Sequence, residues 1–310
     1  MPKANYKLIL CFAIRKNLPK IVELLLNYGA DINKQNNTGE LPICIAFKKN
    51  LPNMVELLIN KGADINKPEY KNNMYFGYTP LHFASRNNLP NIVELLIKRG
   101  ADINKENHVG ESPLHIAFRY NLPNIVELLI TLGADVNKQN IYYKPPLHYA
   151  ITYNLPNMVE LLITHGAVIT NYDTFRYPLH TAITYRFTDI VEILIKKGAD
   201  VNKLNRYDNT PLFSAVFENA PTIVELLLKH GSNPHIKNFS HITPLDLAIE
   251  KRHYDIIDIL KTYIHNQFLT TCIGLRKKQV GDNILFEIGK QLITSEKEII
   301  TIINQSKTIQ

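Results

Sequence analysis

Residues 112–137 read SPLHIAFRYNLPNIVELLITLGADVN, and three parts of this stretch recur along the chain. They are a Pro-Leu-His group, an Asn-Leu-Pro group followed by an apolar run, and Gly-Ala-Asp-(Ile/Val)-Asn. The third part begins at Gly29, Gly62, Gly100, Gly133 and Gly198, with degenerate copies at Gly166 and Gly231. The steps between these glycines are 33, 38, 33, 33, 32 and 33 residues. A period of this length is typical of a repeat architecture.

The chemistry of one copy predicts two short helices. Ser112 can cap the first helix with its hydroxyl, and Pro113 suits the first helical position, where no amide donor is needed. The second helix begins at Pro123, and its apolar face consists of Ile125, Val126, Leu128 and Leu129. Gly133 suits the left-handed residue that ends a helix, so that a β-hairpin finger is predicted from Asp135 onward.

The 33-residue period with Thr79-Pro80-Leu81-His82 and Gly-Ala-Asp-Ile-Asn resembles the ankyrin repeat. The resemblance covers residues 5 to 265 and implies an all-α repeat solenoid of eight stacked repeats, because one unit cannot bury its own apolar face. The Asn-Leu-Pro turn and the Asn-, Lys- and Ile-rich composition are similar to those of ankyrin-repeat proteins of rickettsia-like intracellular bacteria. The repeats are predicted at residues 4–33, 37–66, 75–104, 108–137, 141–170, 173–202, 206–235 and 239–266.

The period stops after residue 266, which predicts a repeat domain over 1–266 and a tail over 267–310. Apolar residues at helical spacing between Asn283 and Leu292, and a capping box of Ser295 with Glu298, predict one or two helices in this tail. The helices would cover the last repeat. A separate short binding or export segment is the alternative.

Some repeats depart from the pattern. Leu41, Pro145 and Tyr177 stand where a Ser or Thr cap is expected, so these repeats should be weaker by up to about 1 kcal/mol. The third finger carries five extra residues within 68–77, and the sixth finger, at 171–176, is one residue short. Neutral drift and a contact loop are both open explanations of the insertion.

Composition bounds the class of protein. The chain has 310 residues, a net charge of +7 and 45% hydrophobic residues, enough for a core. No run of 18 apolar residues is present, so no membrane span is expected. Three cysteines fit a reducing compartment. Without a recognisable signal peptide, the predicted location is the cytoplasm, or a host cell reached by a route without a cleavable signal peptide. A monomer is expected.

The histidines do not predict a metal site. His82, His115, His148 and His180 occupy the same motif position one repeat apart, too far to share a zinc ion. In the ankyrin family this imidazole bonds backbone groups of neighbouring turns. Cys11 and Cys44 stand at that position in the first two repeats and are expected to be small core residues. No nucleotide-binding, hydrolase or metalloprotease motif occurs, so we expect no cofactor, no metal and no enzyme activity.

The resemblance places the binding surface in the concave groove, formed by the finger tips and the solvent side of the first helices. The residue pairs before the inter-helix turns change along the chain from basic to tyrosine-bearing to mixed. The candidate partner-binding residues in these pairs are Arg86, Arg119, Tyr120, Tyr153, Tyr185 and Phe217. Those in the fingers are Tyr75, Phe76, Tyr142, Tyr143, Tyr172 and Phe175.

Tyrosine and arginine are common in binding hot spots, which favours a contact strip. A tyrosine-rich composition and a solvated basic face are the plainer explanations. The sequence therefore predicts a protein-binding scaffold whose partner carries acidic groups towards the N-terminal half and apolar or aromatic anchors centrally. The partner is a host protein if the source is an intracellular bacterium. The alternative function is nucleic-acid binding through Arg15, Lys16, Lys48, Lys49, Arg86 and Arg119.

Overall fold

The computed structural model describes residues 6–69, 76–170 and 177–277. Over these ranges the chain forms sixteen α-helices and no sheet, as predicted for an all-α repeat solenoid. The helices are α1 (Tyr6–Arg15), α2 (Pro19–Asn27), α3 (Pro42–Lys48), α4 (Pro52–Asn60), α5 (Pro80–Arg86), α6 (Pro90–Lys98), α7 (Pro113–Arg119), α8 (Pro123–Thr131), α9 (Pro146–Thr152), α10 (Pro156–Thr164), α11 (Pro178–Thr184), α12 (Thr188–Lys196), α13 (Pro211–Phe217), α14 (Pro221–Lys229), α15 (Pro244–Glu250) and α16 (Tyr254–Lys277).

The chain divides into two compact units. The first, Met1–Thr174, contains the helix pairs of repeats one to five, and the second, Phe175–Gln310, contains those of repeats six to eight. Within each unit the first helices of successive repeats pack on one another, and each packs on its own second helix. The core is therefore a continuous layer between neighbouring repeats.

Small and large side chains alternate in this layer. Leu114, Ala117 and Leu129 in the fourth repeat are fully buried. The alanine lets adjacent helices approach closely, while larger side chains fill the space at the helix ends. Phe47 and Phe83 stack across repeats two and three, with their ring centroids 5.6 Å apart. Of the apolar face predicted for the second helix of this repeat, Ile125, Val126 and Leu129 are buried, whereas Leu128 is only half-buried. Ile130 is buried in addition.

The turns between the paired helices explain the Asn-Leu-Pro group. Its asparagine has a positive φ of 51–55° in each of repeats one to five, at Asn17, Asn50, Asn88, Asn121 and Asn154. Asparagine tolerates this left-handed region better than other non-glycine residues. Arg186 and Arg252 adopt the same conformation in repeats six and eight, with φ of 57° and 58°.

The motif glycines end the second helices as predicted. All seven, from Gly29 to Gly231, have φ between 86° and 92°. This left-handed conformation is strained for residues with a Cβ atom.

The motif histidine joins repeats three, four and six to the repeat that follows each of them. The Nδ1 atom of His82 accepts hydrogen bonds from the backbone N–H (3.1 Å) and hydroxyl (2.9 Å) of Thr79, and Nε2 donates to the carbonyl of Glu111 (2.9 Å). His115 repeats this arrangement with Ser112 and the carbonyl of Lys144. Because a carbonyl oxygen can only accept, the ring is neutral and carries its proton on Nε2.

The sixth repeat lacks part of this arrangement. His180 donates from Nε2 to the carbonyl of Asn209 (3.1 Å), but within the described ranges its Nδ1 atom has no hydrogen-bond partner. Tyr177, the residue before the helix, supplies no hydroxyl at the place of Thr79 or Ser112. The missing cap predicted from the sequence therefore leaves a buried ring nitrogen unsatisfied.

A second link between repeats comes from the last asparagine of Gly-Ala-Asp-x-Asn. The side chain of Asn137 donates to the carbonyl of Gly166 (2.9 Å) and accepts from the backbone N–H of Val168 (2.9 Å) in the next repeat. Asn66 makes the same pair of bonds with Gly100 and Asp102. The motif aspartate forms a local turn, since Asp135 Oδ1 accepts from the backbone N–H of Asn137.

The described parts of the fingers are turns and not β-strands. Within them a single β-bridge joins Glu69 to Tyr78, at the base of the third finger. In several of these loops, the side-chain oxygen of one asparagine accepts hydrogen bonds from two backbone N–H groups. Asn107, for example, accepts from Val109 and Glu111. These side-chain bonds take the place of the expected strand pairing. The inserted residues 70–75 and the short finger at 171–176 lie outside the described residues.

The last helix, α16, runs without interruption through residue 266 to Lys277. The helices predicted between Asn283 and Leu292 and after Ser295 fall on residues 278–310, outside the described residues. The assignment of 267–310 as a capping tail stays a prediction.

The left-handed arginines provide a test of the turn geometry. Arg186→Asn should raise the free energy of unfolding by roughly 0.5–1 kcal/mol, because asparagine relieves the steric cost of positive φ. Urea unfolding followed by circular dichroism measures the change. The reciprocal variant Asn154→Arg should lower stability by a similar amount, and equal stabilities for both variants and the unchanged chain would refute this account of the turn.

The buried histidines predict a loss of stability in mild acid. Burial lowers the pKa of His82, His115 and His180 to about 4, whereas an unfolded histidine titrates near about 6.5. Between these values the unfolded chain binds more protons, so each histidine lowers the free energy of unfolding by about 1.4 kcal/mol per pH unit as pH falls.

Urea unfolding between about pH 6.5 and about pH 4.5 measures this slope. His115→Phe, which copies Phe213 at the same position of repeat seven, should reduce the slope. Leu114→Ala is the control, because it destabilises the core but retains the histidine and hence the slope. Parallel pH profiles for His115→Phe and the unchanged chain would contradict the assignment.

Candidate protein-binding surface

Two tyrosines of the first unit occupy the same exposed position in successive repeats. Tyr120 follows α7 and Tyr153 follows α9, each directly before the left-handed asparagine of its turn. They are 39% and 45% exposed. The guanidinium of Arg86 lies 5.0 Å from the centre of the Tyr120 ring, and the buried Tyr149 ring lies 6.1 Å from that of Tyr153. Tyr120 therefore packs against the Arg86 guanidinium and Tyr153 against the Tyr149 ring, and both tyrosines stay partly exposed.

Fingers three to five place further aromatic groups at the edge of this surface. Backbone hydrogen bonds join these fingers, from His108 N–H to the Phe76 carbonyl (3.3 Å) and from Ile141 N–H to the Val109 carbonyl (3.1 Å). Phe76 packs edge-on against the His108 ring, with centroids 5.2 Å apart. The exposed aromatic residues here are Phe76, Tyr142 and Tyr143. Tyr75, Tyr172 and Phe175 lie outside the described residues.

The remaining candidates belong to the second unit. Tyr185 is exposed after α11 and stacks on Phe187, with the ring centroids 5.6 Å apart. Phe217 is exposed at the end of α13, and the Lys251 ammonium lies 4.7 Å from its ring centre. Tyr185 and Phe217 are therefore exposed aromatic residues, and each packs against a neighbouring side chain of the second unit.

The positive charge predicted for the groove is largely offset by carboxylates of the chain itself. Arg15 pairs with Glu40 (2.6 Å), and Lys48 pairs with both Glu40 (3.2 Å) and Glu69 (3.3 Å). Arg119 pairs with Glu111 in the same way. The side chains of Glu69 and Glu111 are fully buried. Three of the basic residues predicted for the groove are therefore paired within the chain.

Glu111 is the centre of a buried polar network. Its carboxylate accepts hydrogen bonds from Asn107 Nδ2 (3.3 Å), the Tyr149 hydroxyl (3.2 Å) and Arg119. Asn140 in turn donates to the Tyr149 hydroxyl (3.0 Å). Burial, followed by the negative charge of Glu111, raises the pKa of Tyr149. The phenol is therefore neutral and can donate its proton to the carboxylate.

The ion pairs also shift the pKa values of the groups facing the groove. Burial lowers the pKa of Arg119, but Glu111 and nearby tyrosines raise it more strongly, so the net direction is upward. For Glu40, burial raises the pKa, but hydrogen bonds from Asn36 and Thr38 and the charge of Lys48 outweigh it and lower the pKa to about 2. Both groups stay charged over the physiological pH range.

Sequence reasoning identified the exposed tyrosines and basic residues but missed the glutamates. A usable signal exists, because Glu40 precedes Lys48 by eight residues and Glu111 precedes Arg119 by the same interval. This interval joins the residue before the helix cap to the end of the first helix. Glu69 has no such signal, since the third finger's insertion separates it from the regular spacing.

The part of the chain that the structure describes contains no group of three His, Cys, Asp or Glu side chains arranged to hold a metal ion. Its helices also include none that is long and apolar enough to cross a membrane.

Cys11 and Cys44 are buried free thiols, and burial raises the pKa of Cys11 to about 11. The core role expected for these cysteines agrees with their burial.

The family model described as ankyrin repeats (3 copies) matches residues 8–107, 68–140, 105–173 and 147–238. The chain belongs to the ankyrin repeat family. Ankyrin repeats generally mediate protein–protein interaction, and the fold is typically a non-catalytic binding scaffold.

Among solved structures, this ankyrin repeat chain is similar to the crystal structure of the ankyrin repeat domain of Bcl-3, described as a unique member of the IkappaB protein family. The TM-score is 0.63 at 27% sequence identity, over 72% of this chain and 99% of that chain. No curated protein matches the chain in a sequence comparison.

The charge compensation in the groove can be tested directly. Removing two groove carboxylates with Glu40→Gln and Glu111→Gln should leave Arg15 and Arg119 uncompensated, while Lys48 keeps its pair with Glu69. The double variant should therefore elute from immobilised heparin at higher salt. The free energy of unfolding should fall by about 1–2 kcal/mol, because Arg119 is partly exposed and the lost ion pair is partly screened.

The matched control is Glu127→Gln with Glu160→Gln, which removes the same charge from exposed positions on second helices. Equal elution of the two double variants would show that Glu40 and Glu111 do not mask the groove's basic residues.

Proposed function

We propose that this chain is a non-catalytic scaffold that binds a partner protein on the groove of its first unit. The aromatic strip, defined as Phe76, Tyr120, Tyr142, Tyr143 and Tyr153, supports this proposal. These side chains are exposed although the core of the unit does not need them. Exposed aromatic groups on a rigid scaffold are characteristic of protein-binding surfaces.

The physical properties of the strip favour a protein partner. A tyrosine ring offers a large contact area and a hydroxyl while losing little side-chain entropy on binding. The backbone hydrogen bonds between fingers and the buried Glu111 network hold these rings in place before binding. Little ordering is then needed, so more of the contact energy appears as affinity.

The charge distribution narrows the kind of partner. Glu111 offsets the charge of Arg119 beside Tyr120 in the strip, and ion pairs also offset Arg15 and Lys48 towards the N-terminal end. Apolar or aromatic side chains of the partner would supply the central anchors. Acidic groups of the partner would meet the exposed Lys16 and Lys49 towards the N-terminal end.

The same ion pairs count against the nucleic-acid alternative. Three of the six basic residues that it requires are paired within the chain, and Arg86 lies over the Tyr120 ring. Phosphate binding would have to compete with these interactions.

A cytoplasmic location, or export to a host cell where the target would be a host protein, remains part of the prediction from the sequence.

The strip is tested in two steps with the full chain. Photo-crosslinkable residues at positions 120 and 153 should capture the same partner from native cells, while one at the exposed position 254 should not. Tyr120→Ala with Tyr153→Ala should then weaken binding of that purified partner at least about tenfold, because truncating one hot-spot residue typically costs more than about 1 kcal/mol.

Tyr254→Ala is the matched control, because Tyr254 is an exposed tyrosine in the second unit, at the start of α16. Tyr185→Ala is measured separately, since it also belongs to the second unit. Unchanged affinity of the double variant, with intact circular dichroism, would refute the strip. Capture of nucleic acid in place of protein would support the alternative function.

A further inference from the structure

Fingers two, four, five, seven and eight share one turn, which ends in a residue with positive φ. The turn begins at an asparagine whose carbonyl accepts the backbone N–H three residues later, as Asn140 does from Tyr143 (2.9 Å). The residues at this last position are Gly39, Gly110, Tyr143, Asp208 and His241. Of these, Tyr143 has the largest side chain, and its φ is 55°.

Tyr143 has a backbone conformation that suits the other residues at this position better. Glycine has no Cβ atom, and aspartate and histidine are enriched among the non-glycine residues that adopt positive φ. A bulky residue in this region is an outlier, and strain of this kind is concentrated at functional sites. Because Gly110 and Asp208 close the same turn, the turn gives no reason for a tyrosine at this position.

The residues around Tyr143 form an exposed apolar tip. The three residues after Asn140 are Ile141, Tyr142 and Tyr143, which are 55%, 65% and 58% exposed. We call these three residues the fifth tip. At the same three positions of fingers two, four, seven and eight, the structure describes at most one exposed large apolar side chain in each finger.

Hydrogen bonds hold the fifth tip in one conformation. The buried Asn140 accepts through Oδ1 from the backbone N–H groups of Tyr142 (2.9 Å) and Lys144 (3.1 Å). Its Nδ2 atom donates to the Tyr149 hydroxyl (3.0 Å), which belongs to the Glu111 network. The backbone N–H of Ile141 donates to a carbonyl of the fourth finger (3.1 Å). The tip is therefore ordered before any partner binds.

We propose that the fifth tip is the main anchor for the partner and enters an apolar pocket on a folded partner domain, which rests on the proposed function of the groove. Side chains at three adjacent positions of a turn diverge, so an extended peptide would cover only part of them. A concave pocket covers all three, and a preorganised tip loses little entropy on entering it. Hot-spot side chains of protein interfaces lie in such desolvated pockets. The contact energy of the Tyr143 ring would then offset the strain in its backbone.

Affinity and stability, measured on the same variants of the full chain, test this proposal. The binding probe is the purified, folded partner that is captured through positions 120 and 153. Tyr143→Gly should raise the dissociation constant at least about tenfold, because a main anchor is lost. The same substitution should raise the thermal midpoint of the unbound chain by about 1–3 °C, because glycine relieves the strain. Tyr143→Asp, which copies Asp208, should weaken binding equally without the flexibility of glycine.

Two variants of the second unit are the matched controls. Asp208→Gly makes the same backbone change in finger seven, and Phe239→Ala removes an exposed ring from the tip of finger eight. Both should bind the partner with unchanged affinity, since neither alters the fifth tip.

The outcomes separate this proposal from the function of the groove. If Tyr120→Ala with Tyr153→Ala weakens binding but Tyr143→Gly and Tyr143→Asp do not, the fifth tip is not the main anchor, although the groove still binds the partner. A lower thermal midpoint for Tyr143→Gly would show that the ring supports the fold, and would also overturn the proposal. Short overlapping peptides of the partner that bind as tightly as the folded domain would refute the pocket. Failure to capture any partner would refute the proposed function itself, and the anchor with it.

Discussion

Each helix pair in this chain can bury its apolar face only against a neighbouring pair, and this constraint governs the rest of the structure. It explains why the apolar residues recur with the repeat, why an alanine lies where first helices approach, and why the polar links run between repeats. The motif histidine and the last asparagine of Gly-Ala-Asp-x-Asn each satisfy backbone groups of the following repeat. The position of each helix pair is thereby determined by its contacts with the adjacent repeat.

The same constraint determines where function can lie. The core positions of a repeat are occupied by the side chains that bury its apolar face, so the described positions that can differ from repeat to repeat are those at the groove and in the fingers. In the first unit the groove combines exposed tyrosines with basic residues whose charge is offset from below by buried glutamates. The result is a firm, amphipathic surface rather than a positively charged one. Such a surface suits recognition of another folded protein, with the affinity coming from aromatic contacts and preorganisation.

The sequence alone determined the architecture, because most repeats carry a cap, a turn and a helix-ending glycine of their own, and these are local properties read from neighbouring residues. The positions of the exposed tyrosines could also be predicted from the spacing of the repeats. Only the tertiary structure revealed that Glu40, Glu69 and Glu111 offset the basic residues, since an ion pair depends on where side chains meet in space. It likewise showed that asparagine side chains hold the fingers in place of strand pairing, and that Leu128 stays half-buried within an apolar face predicted from the sequence. Burial depends on the neighbour that covers a residue, and not on the residue itself.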